Sequence, residues 1–272
     1  MLGIIRLQLF RLKKSVLFWV FLGLCAGLTV LSALMLLGID ALFNQAELGS
    51  ILETLGLTMS TVSVVSSYAT FSTDAALFAM LCTSIVLCKE FSQGTVRNAI
   101  VANKSRTQVF FAYFATALIV GASYFVTSFV VSIAVYAPML GFGTLTTGRA
   151  VTAVFCCFAM GLGSVLFTQS VVCMFLFGSR KQSTVIALPL VICLVVVNVV
   201  SGIIETIVTS VQLTGKVVSE TLLQCLPFFN LTVLNTAEPG GLTVGMIILY
   251  DVLFSALFLV VGYFSFKKAD LK

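Results

Sequence analysis

The chain has 272 residues, a formal net charge of +5 and no histidine; 60% of its residues are apolar and only 9% are charged. Soluble domains carry about 25% charged residues, so a soluble globule of this composition would have too little surface charge to stay dispersed. The composition argues against a cytosolic enzyme or a nucleic-acid binder and indicates an all-α polytopic membrane protein.

The first predicted element is an amphipathic helix over residues 1–14. Its apolar residues recur at spacings of three and four, which places them on one stripe: Leu2, Ile5, Leu9, Leu12 and Val16. The basic residues lie elsewhere around the helix: Arg6, Arg11, Lys13 and Lys14. We expect this helix to lie at the membrane surface, with its basic side toward anionic lipid head groups. A charge cluster that serves only to set the topology is the alternative.

Six apolar runs follow, each long enough to cross a hydrocarbon core of about 30 Å. The predicted spans are residues 15–37, 68–88, 109–136, 150–177, 184–204 and 243–266. The first resembles a secretory signal because basic residues precede it. Its run of roughly 23 residues is longer than a signal core, so we expect it to be a retained span.

The orientation follows from the basic residues, because Lys and Arg near the ends of spans are retained in the cytoplasm. All of them except Arg149 and Lys216 fall on one side of the six-span arrangement, and most acidic residues fall on the other. This pattern predicts that both termini are cytoplasmic. We expect a multi-pass protein of a bacterial cell membrane.

Residues 89–107, between the second and third spans, form a short polar segment of mixed charge. Gly94 can end one helix and Thr95 can cap the next. Glu90 is one of only two acidic residues on the predicted cytoplasmic side, so topology alone does not require it. The basic residues of the segment, by contrast, are also explained by the positive-inside rule.

This segment resembles the permease subunits of type-2 ABC exporters, in which a Glu after the second span precedes Gly-Thr, a short basic helix and a Ser-Arg pair. The matching residues are Glu90, Gly94, Thr95, Arg97, Ser105 and Arg106. The six-span layout and the basic N-terminal helix match as well. The resemblance implies one permease domain over residues 1–272, a second permease copy and a separate ABC ATPase subunit. It also implies that the N-terminal helix and the 89–107 loop contact that ATPase, with Glu90, Arg97 and Arg106 as contact candidates.

Residues 205–242, before the last span, are too polar to cross the membrane and are interrupted by Pro227 and by Pro239. The resemblance implies short helices there on the outer face, dipping back into the bilayer. Such irregular backbone at membrane depth requires burial in protein or a wet cavity.

Polar residues inside spans are costly and are therefore functional candidates. The acidic candidates are Asp251 and Asp74, and the neutral ones are Asn198 and Gln169. For Asp251 a hydrogen bond between helices is an equal alternative. Gly23 and Gly27 form a GxxxG pattern in the first span, which fits either packing within one subunit or a dimer interface.

The leading interpretation is a permease that exports a hydrophobic or amphipathic substrate such as a peptide, an antibiotic or a lipid. The chain has no GxxxxGK[ST] phosphate loop, so ATP hydrolysis is expected in the partner subunit. Without histidine, most imidazole-based catalysis is removed, and we expect no enzyme activity, no cofactor and no metal in this chain. The alternatives are an ATP-independent carrier or channel and a membrane immunity protein. Membrane lipid is an expected partner and nucleic acid is not.

Overall fold

The structure is a computed structural model that describes residues 2–45, 64–93, 96, 105–140, 147–179, 181–196, 199–200, 203 and 241–268. These residues form seven helices and contain no strand. The helices are α1 (Leu2–Lys14), α2 (Val16–Gln45), α3 (Val64–Ser92), α4 (Arg106–Leu140), α5 (Thr147–Ser179), α6 (Gln182–Val191) and α7 (Gly241–Lys268). The all-helical fold class is thus confirmed for the described part of the chain.

Among the described residues, three helical stretches are long and apolar enough to cross a membrane. They are Arg106–Val135 in α4, Val154–Ser179 in α5 and Val244–Lys268 in α7. The bent pair Gly3–Lys14 and Val16–Leu31 is a fourth candidate if its two halves count as one span. The structure therefore supports three or four of the six predicted spans, and the six-span count stays a prediction.

The other two predicted spans also fall on helices. The second lies within α3. The fifth begins as α6, which contains Pro189, and continues as a π-helix over Ile192–Val196. Proline has no backbone N–H, so it interrupts the helical hydrogen-bond ladder near this change of winding. The short outer helices expected within 205–242 lie outside the described residues.

The N-terminal helix is separate from the first span, since α1 and α2 meet at an angle of 67° around Ser15. The bend exposes the carbonyl group of Lys13, and the indole nitrogen of Trp19 donates a hydrogen bond to it at 2.9 Å. Also at the bend, the Ser15 amide donates to the Leu12 carbonyl at 2.9 Å. The Trp19 side chain and the Ser15 amide thus donate to carbonyl groups that a broken helix would leave without hydrogen bonds.

The predicted apolar stripe of α1 is only partly correct. Leu12 is buried, whereas Ile5 and Leu9 are half-buried. Val16 is 75% exposed because the bend places it at the start of α2, away from the face of α1. The side of α1 that faces the bundle also includes the buried amide of Gln8, which the hydrophobic pattern does not show.

Helix α7 packs along α5 in the same direction, and two small residues allow this close approach. Gly163 of α5 lies against Asp251 of α7. About three turns further along both helices, Gly262 of α7 lies against the backbone of Met174 of α5. A side chain at either glycine would push the helices apart, as expected for small residues at helix interfaces.

Basic residues gather at one end of the bundle, where α1, the end of α3, the start of α4 and the end of α7 meet. We call this the basic end. An aromatic cluster holds it together, with the rings of Phe110 and Phe266 each 4.7 Å from the ring of Phe177. Arg106 at the start of α4 donates to the carbonyl of Lys267 at 2.9 Å. Contacts of this kind fix the helix ends relative to one another.

Candidate functional site

Glu90 lies at the basic end and is only 7% exposed. The hydroxyl of Tyr113 on α4 donates to its Oε2 at 2.7 Å, and the side-chain amide of Gln8 on α1 donates to the same oxygen at 3.4 Å. Arg11 of α1 approaches Oε1, with its Nη1 at 3.6 Å. Thr116 of α4 contacts Oε1 of Gln8. We call these five residues the Glu90 cluster.

Helical spacing explains how the Glu90 cluster forms. Gln8 and Arg11 are three residues apart on α1, and Tyr113 and Thr116 are three apart on α4, so each pair shares one helix face. Glu90 stands between these faces on the last turn of α3. A buried carboxylate is costly unless it is paired and hydrogen-bonded, and here donors come from both neighbouring helices. The cluster thus ties α1 to α3 and α4.

Apolar side chains surround the Glu90 cluster on the bundle side. Val96, the one described residue of 94–104, is buried among Leu87, Val109 and Phe110. Leu12 of α1 packs in the neighbouring core with Cys82. Such surroundings strengthen the hydrogen bonds of the cluster and raise the cost of losing one.

The structure brings together two of the sequence-predicted groups, namely Glu90 and the N-terminal helix. Glu90 points into the protein, toward Arg11, rather than toward an outer surface. Arg106 also has a partner within the chain, since it caps the last turn of α7, where a cation is favourable. Gly94, Thr95 and Arg97 lie outside the described residues.

The remaining cations of α1 face outward. Arg6, Lys13 and Lys14 are exposed, and the ammonium group of Lys14 lies 4.5 Å from the centre of the Phe10 ring. Leu7 and Phe10 are also more than half exposed. The outer side of α1 therefore offers both charge and apolar surface.

Beside the Glu90 cluster lies an open cleft of about 170 Å³ between α1, α2 and α3. Its polar residues are Arg11, Ser15, Lys89, Glu90 and Gln93, and its apolar residues are Leu17, Ile85 and Val86. The polar residues lie in the last turns of α1 and α3 or just after them, and the apolar ones lie in the predicted spans.

The intramembrane candidates lie in a different part of the bundle. Asp251 is 1% exposed and packs against Gly163. Gln169 is fully buried on α5, and a Cβ at Gly121 of α4 would lie 2.9 Å from its Cγ. No hydrogen-bond partner for the Gln169 amide is found among the described residues. Asn198 and the side chain of Asp74 lie outside the described part of the chain.

Gly23 and Gly27 face away from the bundle. Both are exposed, and among the described residues no atom lies within 4 Å of a Cβ built at either position. Large apolar side chains flank them on α2, including Leu24 and Leu28. The described helices of this subunit therefore do not use the GxxxG pattern for their own packing.

Three residues of the Glu90 cluster have no counterpart in the sequence predictions: Gln8, Tyr113 and Thr116. Gln8 could have been identified from the sequence, because it is the one uncharged polar side chain among the apolar and basic residues of α1. Tyr113 and Thr116 lie about two and three turns into an apolar helix, where tyrosine and threonine are common.

In the described ranges, no group of three or more Cys, Asp or Glu side chains is arranged to hold a metal ion. No protein-family model matches the sequence, and a search of curated proteins gives no match.

Proposed function

We propose that this chain is the membrane-spanning permease subunit of an ATP-driven ABC exporter for a hydrophobic or amphipathic substrate. It would work with a separate ATPase and a second permease copy. The observation that carries the proposal is the Glu90 cluster, because it joins the two elements that the family resemblance assigns to ATPase coupling. Those elements are α1 and the segment that begins at Glu90.

In this proposal the Glu90 cluster transmits movement. An ATPase that pushes on the outer side of α1 would displace α3 and α4 together. Gln8 and Arg11 of α1 contact Glu90 of α3, and Thr116 of α4 contacts Gln8. Coupling of this kind needs a rigid connection between the surface element and the spans. The exposed cations Arg6, Lys13 and Lys14 could contact an acidic surface of the ATPase directly. Glu90 is buried and would act only through its contacts with α1.

A second permease copy would dock on the outward face of α2. Gly23 and Gly27 leave room there for the backbone of another helix. We expect the double variant Gly23→Leu, Gly27→Leu to fold normally and to lose dimer in light scattering of the detergent-solubilised protein. Gly245→Leu, at another exposed glycine, is the control. If the double variant still forms a dimer, the dimer interface does not lie on this face of α2.

A second candidate function is an ATP-independent carrier, and the observation that favours it is Asp251. A carboxyl group buried between α5 and α7 is the kind of residue through which ion-coupled carriers work. If the chain is such a carrier, Asp251→Asn would abolish transport and Glu90→Gln would not. Transport would also stop when the ion gradient is dissipated, and not when ATP is removed.

The first experiment is purification of the tagged chain from its native membrane in mild detergent, followed by mass spectrometry of co-purifying proteins. We expect a near-stoichiometric ATPase that is lost when residues 2–14 are deleted. Glu90→Gln keeps the size of the side chain but removes its charge. We expect this variant to retain the ATPase, because Glu90 is buried, and to lose substrate-stimulated ATP hydrolysis.

Lys268→Gln is the control variant, since Lys268 is exposed at the same basic end and lies outside the Glu90 cluster. It should keep both the ATPase and the stimulation. If gentle crosslinking recovers no ATPase from the unmodified chain, the exporter proposal is wrong, and the carrier becomes the leading candidate.

A further inference from the structure

The cleft beside the Glu90 cluster combines two cations with an apolar wall. Arg11 comes from α1 and Lys89 from α3, so the two charges approach from different helices. Ser15 and Gln93 add neutral polar side chains. On the other side, the wall is made by Leu17 of α2 and by Ile85 and Val86 of α3.

The charge of the lining favours an anion. Among the described residues that line the cleft, Glu90 is the single acid, and it already accepts hydrogen bonds from Tyr113 and Gln8. Its distance to Arg11, 3.6 Å, is longer than the 2.7–2.9 Å of a tight charged hydrogen bond. Arg11 is also 44% exposed, so its guanidinium has N–H groups directed elsewhere.

We infer that this cleft binds the phosphate group of an anionic phospholipid, with Arg11 and Lys89 as the cationic contacts. The acyl chains would lie along the apolar wall of α2 and α3. Basic pockets between helix ends at the inner membrane surface are typical sites for acidic lipid head groups. This site does not depend on the exporter proposal, because a carrier would expose the same cleft to the same lipids.

The shape of the cleft favours a lipid over an acidic protein segment. A volume of about 170 Å³ holds a head group but not a helix. The polar and apolar linings also meet where the predicted spans end, which is where the phosphate of a lipid meets its acyl chains. A soluble anion would make no use of Leu17, Ile85 or Val86.

Trp19 provides the measurement, because it is the single tryptophan of the chain and lies one helical turn beyond Ser15. The purified chain is placed in phosphatidylcholine vesicles that contain either brominated phosphatidylglycerol or brominated phosphatidylcholine, and quenching of Trp19 fluorescence is compared. We expect the anionic lipid to quench at lower mole fraction. Each cation that contacts the lipid phosphate in the cleft should contribute about a five-fold preference, since that ratio corresponds to about 1 kcal/mol.

Variants distinguish the cleft from general attraction by a basic helix. Arg11→Gln with Lys89→Gln removes both cleft cations and should lower the preference about 25-fold, five-fold for each cation. Arg6→Gln with Lys14→Gln removes the same charge from α1 outside the cleft and should change it less than two-fold. Lys89→Gln alone keeps both partners of the Arg11–Glu90 pair, so it tests the cleft without removing that contact between α1 and α3.

Equal losses in the two double variants, or no anionic preference in the unmodified chain, would overturn the inference. Displacement of the lipid effect by millimolar glycerol phosphate would assign the cleft to a soluble phosphate compound instead. Absence of lipid preference, together with loss of a co-purifying protein from the Arg11, Lys89 variant, would assign it to an acidic protein segment.

Discussion

A buried carboxylate needs donors, and Glu90 accepts a hydrogen bond of 2.7 Å from the hydroxyl of Tyr113. We predict that Tyr113→Phe lowers the free energy of unfolding by about 1–3 kcal/mol, because it leaves a buried charged acceptor with one donor fewer. Tyr263→Phe is the matched control, since its hydroxyl bonds Thr107 at 3.0 Å in an exposed position where water can replace it. Denaturant titration in detergent, followed by Trp19 fluorescence, gives both values. Equal losses would contradict the buried role of Tyr113.

The sequence predicted Glu90 but not its surroundings. Glu90 was identifiable because it is an acid among basic residues, an arrangement that topology does not require. Tyr113 and Thr116 were not identifiable, since their importance depends on which face of α4 meets α1. That choice is made by packing between distant parts of the chain, and no local pattern records it.

At the scale of the elements, the packing of α7 on α5 depends on two glycines. A Cβ at Gly262 would lie 3.0 Å from the backbone Cα of Met174, which cannot move aside as a flexible side-chain end can. We predict that Gly262→Ala lowers the free energy of unfolding by about 1–3 kcal/mol through overpacking. Gly245→Ala, on the same helix, has no described atom within 4 Å and should be neutral or slightly stabilising. If Gly262→Ala matches Gly245→Ala in the same titration, the two helices are not in close contact there.

Helices were easier to predict than their interruptions. Predicted spans two, three, four and six fall within α3, α4, α5 and α7, because long apolar runs without proline near their centres favour continuous helix. The 67° bend at Ser15 was expected only as a boundary between two elements, and its angle depends on contacts such as Trp19 with the Lys13 carbonyl. The π-helical turn after Pro189 was not predicted at all, since proline alone does not determine how a helix continues.

For the whole molecule, the side of the membrane on which the basic end lies decides between functions. An ATPase in the cytoplasm can reach α1 and Glu90 only if that end is cytoplasmic. The positive-inside pattern predicts this, and the described residues place Lys89, Arg106 and Lys267 at one end. The same question fixes the number of spans, because α3 must cross the membrane if residues 89–107 are to lie on the side of the N-terminus.

Reporter fusions test the topology directly. We predict that a fluorescent protein fused after residue 104, 181 or 272 folds in the cytoplasm, and that an exported phosphatase fused after residue 145 or 216 is active outside. If only the phosphatase fused after residue 216 is inactive, the fifth and sixth predicted spans do not cross the membrane. The Glu90 cluster would still be cytoplasmic, so this result would not contradict the exporter proposal. Phosphatase activity after residue 104 would have a larger consequence, because it would place the Glu90 cluster on the outer face. No cytoplasmic ATPase could then act on α1, and the buried Asp251 would become the residue from which to build a mechanism.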